Sequence, residues 1–294
     1  MPEITVQGQV VQFQDSVKAS RRGIVFLHGA GGSHHTFRDQ WAGLKGVARL
    51  VIPDLPGHGR TRALGRATSV TADQRLVQRF LTEICDGPAI LVGNSMGGTI
   101  SILQASAHPE TMTGLVLIDP ALPQVRLTRP DPVVAAGFLA FALPGIGRAV
   151  LAGRRRRTTA EEAVDAMLRL CCADPSRVSP ELVRASVELT RERSAYTGVD
   201  TEFLGAARSL MVVLAKHKTY EAKMQQIGVP VLLLHGDKDR LVSVKSARVA
   251  ARANPSWRLL VAPNVGHVPQ LEVPEWTVDA ILDWLAFEGL ATTG

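Results

Sequence analysis

Aromatic residues are scarce in this chain: 8 Phe, 4 Trp and 2 Tyr among 294 residues. Proteins that hold single-stranded nucleic acid on stacking platforms need more of them, so no nucleic-acid partner is expected. Cysteine is scarcer still. Cys85, Cys171 and Cys172 are odd in number and lack metal-ligand spacing. Adjacent cysteines bridge each other only with strain, so all three are read as reduced thiols, without a disulfide framework or metal centre. No uncharged apolar run reaches the ~18 residues that suggest a membrane span. The N-terminal MPEITVQGQVVQFQD lacks the basic-then-apolar layout of a signal peptide, so a cytoplasmic location is expected. Acidic residues fall short of basic ones, 27 against 33, but the surplus is small and much of it lies in Arg154–Arg157. A solvated basic face is a simpler account of it than an acidic macromolecular partner.

What is present is ordinary for a globular protein, with 46% hydrophobic and 20% charged residues. The length allows one substantial core and one inserted subdomain. Weak alternation at Ile4, Val6, Val10, Val11 and Phe13 predicts two short antiparallel strands. Then a pattern recurs: a short continuous apolar run ends in a cluster of Gly, Asp, Asn, Ser or His. Gly23–Leu27 leads into His28-Gly29-Ala30-Gly31-Gly32, and Leu50–Pro53 into Asp54-Leu55-Pro56-Gly57-His58-Gly59. Ala89–Val92 leads into Gly93-Asn94-Ser95-Met96-Gly97-Gly98, and Leu115–Ile118 into Asp119-Pro120. Val231–Leu234 leads into His235-Gly236-Asp237, and Leu259–Val261 into Ala262-Pro263-Asn264. Such runs are strands buried on both faces. Segments of helical spacing stand between them at Thr71–Ile84, Gly97–Ala107, Ser243–Ala253 and Pro274–Phe287. Alternation of this kind predicts an α/β fold with a mostly parallel central sheet and helices on both faces. Ligands in such sheets sit beyond the carboxyl ends of the strands, where the clusters fall.

The rhythm breaks between Ala121 and Ile227. Helix-like blocks occupy Val133–Phe141, Thr159–Cys172, Pro180–Arg193 and Val199–Ala215, with Pro120, Pro123, Pro130 and Pro132 as punctuation. The expected organisation is a core of residues 1–120 and 228–294 with a helical cap, 121–227, inserted as a lid. Two readings of its apolar first half, Pro132–Leu151, stay open. One is an apolar lid helix that lines an acyl pocket, with a basic edge, Arg154–Arg157, that meets anionic lipid headgroups in a transient membrane-surface contact. The other, the default, is a helix packed on the core followed by a solvated basic loop.

Gly93-Asn94-Ser95-Met96-Gly97 matches G-x-S-x-G, a weak signal alone and a strong one between a buried strand and a helix. There the serine takes a strained backbone, and its hydroxyl stands at a helix N-terminus that favours developing negative charge. A serine hydroxyl needs a base. Of eight histidines, His34, His35, His108 and His217 read as surface or loop residues, and His28, His58 and His235 as turn residues. His267, in Gly266-His267-Val268-Pro269 after the last strand, is placed to reach Ser95. The acid that orients it is assigned to Asp239, after the penultimate strand, ahead of Asp237 and Asp119. Chain order Ser, Asp, His is the one used on this sheet type. The oxyanion is assigned to the backbone N–H groups of Met96 and Ala30.

These motifs together resemble the α/β-hydrolase family with a helical cap. The resemblance rests on His28-Gly29, Asp54 to Gly59, Gly93 to Gly98, Gly236 to Asp239 and Gly266-His267. It implies a serine hydrolase working through an acyl-enzyme, with no cofactor and no metal, on a small-molecule ester or related carbonyl substrate. Ser95 excludes the family members that carry Asp at this position, the epoxide hydrolases and haloalkane dehalogenases. The elbow Gly-Asn-Ser-Met-Gly-Gly is similar to that of carbon–carbon hydrolases of aromatic ring-fission products. Those enzymes usually have a Ser-Gly-Pro-Gly oxyanion loop and a Trp after the histidine, where this chain has Ala30-Gly31-Gly32-Ser33 and Val268. Carboxylic ester hydrolysis on a small or medium apolar acyl group is therefore the first reading. Carbon–carbon cleavage is the alternative, and a binding module without turnover the third. Substrate contacts are expected from His28, Gly29, Asn94, Phe138 and Val268, with Arg193 and Tyr196 as further polar candidates in the cap.

Overall fold

The computed structural model describes residues 1–16, 23–85, 87–125, 131–143 and 145–290. Pro130 and the last four residues of the expected core lie outside the described residues. The strands are β1 (Glu3–Val6), β2 (Gln9–Asp15), β3 (Gly23–Leu27), β4 (Arg49–Pro53), β5 (Ala89–Asn94), β6 (Met112–Ile118), β7 (Val231–Gly236) and β8 (Trp257–Ala262). Every apolar run singled out in the sequence is one of them. They form one eight-stranded sheet in the order β1-β2-β4-β3-β5-β6-β7-β8. β1 pairs antiparallel with β2, and β2 with β4; the remaining neighbours are parallel.

Helices α1 (Arg38–Leu44), α2 (Val70–Ile84) and α3 (Met96–Ala107) fall between the early strands. Between β6 and β7 come α4 (Pro132–Ala142), α5 (Ile146–Arg157), α6 (Ala160–Cys171), α7 (Pro180–Ser194), α8 (Val199–Ala215) and α9 (His217–Gln225). α10 (Val244–Ala253), α11 (Pro269–Glu272) and α12 (Pro274–Phe287) complete the chain. Their starts follow local chemistry. Ser69 accepts the Ala72 N–H at 3.1 Å ahead of α2, and Thr159 and Glu162 form a reciprocal capping box on α6.

The central strands β3, β5, β6 and β7 are buried on both faces, and the alternation inside each run shows how. Val25 and Leu27 of β3 face one core with Leu115 and Leu117 of β6, under α2, α3 and α10. Ile24 and Phe26 face the other with Val116 and Ile118, under α1 and α12, where Trp284 is fully buried. Each such aliphatic side chain contributes about 1.5–3 kcal/mol of burial, which is why β3 carries no polar residue and β6 only Thr113 near its start.

Three expectations about the inserted helices are corrected. Arg154–Arg157 are the last turn of α5 and not a loop: arginine is a good helix former, and four cations suit a C-terminal turn. Helices α4 and α5 are not packed inward along their apolar faces, since Val133 and Leu139 are 66% and 63% exposed. Nor is the whole interval a lid, because α9 lies on α3, with Tyr220 and Met224 in the sheet-side core. No single described helix is long and apolar enough to cross a membrane. The three cysteines are free thiols, with burial pushing Cys171 up to about 12.

Candidate active site

The strand order reverses between β3 and β5: the chain leaves β3 toward β4 on one side and returns to place β5 on the other. The loops after β3 and β5 therefore diverge, which leaves a crevice at their carboxyl ends. Ser95 follows β5, Asp119 follows β6, Asp239 lies just beyond β7 and His267 beyond β8. Four consecutive strands thus deliver four chemistry-bearing groups to one edge.

Ser95 has φ 53° and ψ −116°, a region that costs a non-glycine residue about 1–3 kcal/mol. Its surroundings hold it there. The Ser95 N–H donates to Ile118 O at 3.1 Å, and its carbonyl accepts from Thr99 and Ala121. Small neighbours are required: a Cβ on Gly93 would fall 2.6 Å from Gly97 O, and one on Gly97 2.0 Å from Leu27 O. Met96 is the first residue of α3, where an N–H has no carbonyl within the helix to bond. Gly29 packs on the nucleophile turn, since its Cβ would lie 3.0 Å from Ser95 Cβ. The adjoining turn closes through the Gly32 N–H to Gly29 O at 3.0 Å, with Ala30 exposed at its tip.

His267 is almost fully buried. Its Nδ1–H donates to Asp239 Oδ2 at 2.7 Å, and Nε2 is buried with no hydrogen-bond partner among the described residues. Asp239 Oδ1 accepts the N–H groups of Leu241 and Val242 at 2.7 and 3.0 Å. Burial would raise this carboxyl, but the charge and hydrogen bond of His267, with help from His235 and the Val242 N–H, hold it below its ordinary value. Asp119 behaves oppositely. It is fully buried, Oδ1 accepts the Gly236 N–H at 3.0 Å, and burial followed by the Asp239 charge pushes it well above the carboxylate range. Asp119, His235 and Asp239 bring ligand-type atoms within 4.8 Å of one another. The His235 Nε2–H, however, donates to Val242 O at 3.0 Å, and Asp239 is taken up by three donors. The cluster is an acid pair supporting a histidine.

Several expected substrate contacts are spent on the protein itself. His28 is fully buried; its Nδ1–H donates to Gly29 O at 2.8 Å and its Nε2 accepts the Leu55 N–H at 3.0 Å. Asn94 Nδ2 donates to Ile118 O at 3.0 Å and to His267 O at 3.3 Å, which ties the histidine loop to the residue before Ser95. Val268 is buried among Val164, Leu168 and Leu271 beneath the cap. Phe138 lies on the exposed side of α4. Arg193 donates to Gly57 O and Gly59 O at 2.7 and 2.6 Å, and Tyr196 donates to Glu192. His34, read from the sequence as a surface or loop residue, lies in the connection after β3 and is buried, with its ring Nδ1 3.0 Å from Asp54 Oδ2. Asp54 also accepts the N–H groups of His34 and Arg60, so it locks the loops after β3 and β4 together.

Sequence reasoning missed Glu272. This buried carboxylate accepts the Gly266 N–H at 2.7 Å and the Ala173 and Asp174 N–H groups at 2.9 Å. With the His267 N–H donating to Cys171 O at 2.6 Å, it binds the histidine loop to the end of α6. A glutamate in a short helix after a Gly-His motif carries no signal that would single it out.

A cavity of about 600 Å³ lies between Gly31–Ser33 and helices α5, α6 and α7. Its wall combines apolar side chains such as Leu151, Val164, Met167 and Leu168 with charged ones, Arg154, Arg155, Arg191, Arg193 and Asp200, and it reaches the loop after β3 without being lined by Ser95 or His267.

Residues 24–280 match the family model described as the alpha/beta hydrolase family. The chain is 28% identical over 263 residues to a pimeloyl-(acyl-carrier protein) methyl ester esterase of Aromatoleum aromaticum, covering 87% of this chain and 95% of that protein. It is 25% identical over 281 residues to lipase 1 of Psychrobacter immobilis, covering 92% and 79%. Among solved structures, a meta-cleavage product hydrolase superposes with a TM-score of 0.73 at 19% identity, covering 97% of this chain and 98% of that one.

Proposed function

This chain belongs to the alpha/beta hydrolase family, and on that premise we propose that it is a carboxylic ester hydrolase working through Ser95, His267 and Asp239. The observation that carries the reading is the His267 ring. Asp239 fixes its Nδ1–H at 2.7 Å, which leaves Nε2 as the basic nitrogen, on a loop tied by Asn94 to the turn that bears Ser95.

The chemistry follows from these positions. His267 Nε2 takes the hydroxyl proton as Ser95 Oγ attacks the ester carbonyl, and the low-lying Asp239 carboxyl stays ionised to stabilise the imidazolium. The oxyanion is met by the Met96 N–H at the start of α3 and by the Ala30 N–H, donors that need no reorganisation as charge develops. His267 returns the proton to the departing alcohol, then activates water to release the acid from the acyl-enzyme. No step calls for a cofactor or metal. The cap cavity borders the oxyanion loop at Gly31–Ser33, and its apolar side chains support a small or medium acyl group there. The esterase and lipase relatives support ester chemistry.

A fluorophosphonate probe with a panel of esters of increasing acyl length tests the reading, with one coloured ring-fission dienone included. Labelling at Ser95, ester turnover and loss of both in Ser95→Ala are expected. An unlabelled folded protein, or faster turnover of the dienone than of any ester, would overturn it.

A further inference from the structure

The hairpin of α4 and α5 carries an apolar surface that none of the described residues covers. Not one residue of α4 is polar, and only Val134 among them is buried. Pro132, Val133, Ala136, Leu139, Ala142 and Leu143 are exposed at spacings that place them along one side of the helix. Exposure continues through Ile146 and Val150 of α5, beyond a 116° bend. A surface helix normally turns polar residues outward, so a continuous apolar stripe marks a contact surface.

Charge on the same element narrows the contact. Residues 132–158 contain five arginines, Arg148 and Arg154–Arg157, and no Asp or Glu. Arg155 pairs with Asp200 at 3.2 Å. The side chains of Arg148, Arg156 and Arg157 make no ion pair or hydrogen bond among the described residues. The hairpin is seated on α8 by a thin inner contact. Phe141 meets Phe203 edge-on at 5.5 Å, Arg208 donates to Phe141 O and Leu143 O, and Gly147 passes so close to Leu204 that a Cβ would come within 2.9 Å.

We propose that the α4–α5 hairpin docks this protein on an anionic lipid bilayer. Val133, Leu139, Leu143, Ile146 and Val150 enter the boundary between headgroups and acyl chains, and the unpaired arginines meet lipid phosphates. A second copy of the chain is a poorer occupant: a two-fold contact would bring two arginine strings together with no acid on the hairpin to neutralise them. The hairpin also connects inward, since Phe203, which Phe141 touches, lies against Gly31 in the loop beside Ser95.

Co-flotation of the full chain with vesicles tests this, one set of phosphatidylcholine alone and one of phosphatidylcholine with phosphatidylglycerol. The docking stands apart from the catalytic assignment, because Ser95→Ala protein should float like wild type. Preferential flotation with the anionic vesicles is expected, weakening with salt. Val133→Glu with Leu139→Glu should lower binding roughly tenfold or more. Arg148→Gln with Arg156→Gln and Arg157→Gln should remove the preference for anionic lipid. Both variants should keep wild-type turnover of a soluble short-chain ester, which reports an intact fold. Absence of flotation with anionic vesicles, or flotation untouched by either variant, would refute the proposal. So would a wild-type dimer in light scattering that Leu139→Glu dissolves, since the second copy would then be the occupant.

Discussion

His267 reaches Asp239 Oδ2 through Nδ1–H at 2.7 Å, while Asp119, buried beside the same carboxylate, gives Oδ1 to the Gly236 N–H at 3.0 Å. The two acids follow neighbouring strands and are chemically interchangeable, yet their surroundings drive them apart: the charge and hydrogen bond of His267 hold Asp239 below its ordinary value, while burial and the Asp239 charge push Asp119 well above it. Asp239→Asn should therefore lower kcat by about ten-thousandfold, because an amide cannot hold the tautomer or stabilise the imidazolium. Asp119 makes no hydrogen bond to His267, and an amide oxygen can still accept the Gly236 N–H, so Asp119→Asn should keep kcat/KM within about tenfold. Steady-state kinetics on one ester compares the pair, and equal losses would show that both carboxylates orient the histidine.

The backbone at Ser95 predicts an opposition between stability and turnover. At φ 53° the residue stores strain that glycine does not feel, and Ser95 makes no side-chain cap bond to α3. Ser95→Gly should abolish ester hydrolysis and raise the unfolding free energy by about 1 kcal/mol, the strain relief less the entropy that glycine loses on folding. Denaturant unfolding measures it, and a destabilised variant would mean the turn is unstrained.

The strands and the four strand-end groups were legible because each depends on a local pattern. A run buried on both faces must be apolar throughout, and a nucleophile turn must have small neighbours such as Gly93 and Gly97. Asn94, His28 and Arg193 are harder to read for the opposite reason. A polar side chain next to a reactive one looks available in a sequence, and only the fold shows that backbone carbonyls have claimed it. His34 and Glu272 were missed because their partners, Asp54 and the Gly266 and Ala173 N–H groups, are brought to them by loops from distant segments. The cap was least legible: α4 is apolar all round, so its sequence could not say which side would stay uncovered.

Glu272 should prove as important to the histidine loop as any residue that touches substrate. It is the common acceptor of three backbone N–H groups from two segments, none of which finds another partner if the carboxylate is removed. Glu272→Ala should cost about 3–5 kcal/mol of stability, since hydrogen bonds to a buried charge contribute about 1.5–3 kcal/mol each and do not add fully. Turnover in the folded fraction should fall through kcat more than KM, because His267 loses its position while the cap cavity persists. Equilibrium unfolding with single-turnover kinetics separates the two effects, and an unchanged kcat would confine Glu272 to a structural role.

Asp73, in the first turn of α2, gives a prediction about pH. Its carboxyl is buried, Oδ2 has no partner among the described residues, and burial raises it from 3.8 to about 8. The folded state thus binds this proton more tightly than the unfolded chain does. The resulting stability is complete below about pH 4, declines as pH rises, and is gone once pH passes the folded value of about 8. Every tenfold gain in proton affinity on folding is worth about 1.4 kcal/mol, so the full decline is on the order of 5 kcal/mol, and relaxation around the charged group would reduce it. Asp73→Asn has nothing to ionise. Relative to wild type it should be neutral near pH 4 and increasingly stabilising toward about pH 9, read as the difference between the two proteins in urea midpoints across that range. A difference that does not vary with pH would show that Asp73 ionises normally in the fold, with solvent or a neighbour reaching it.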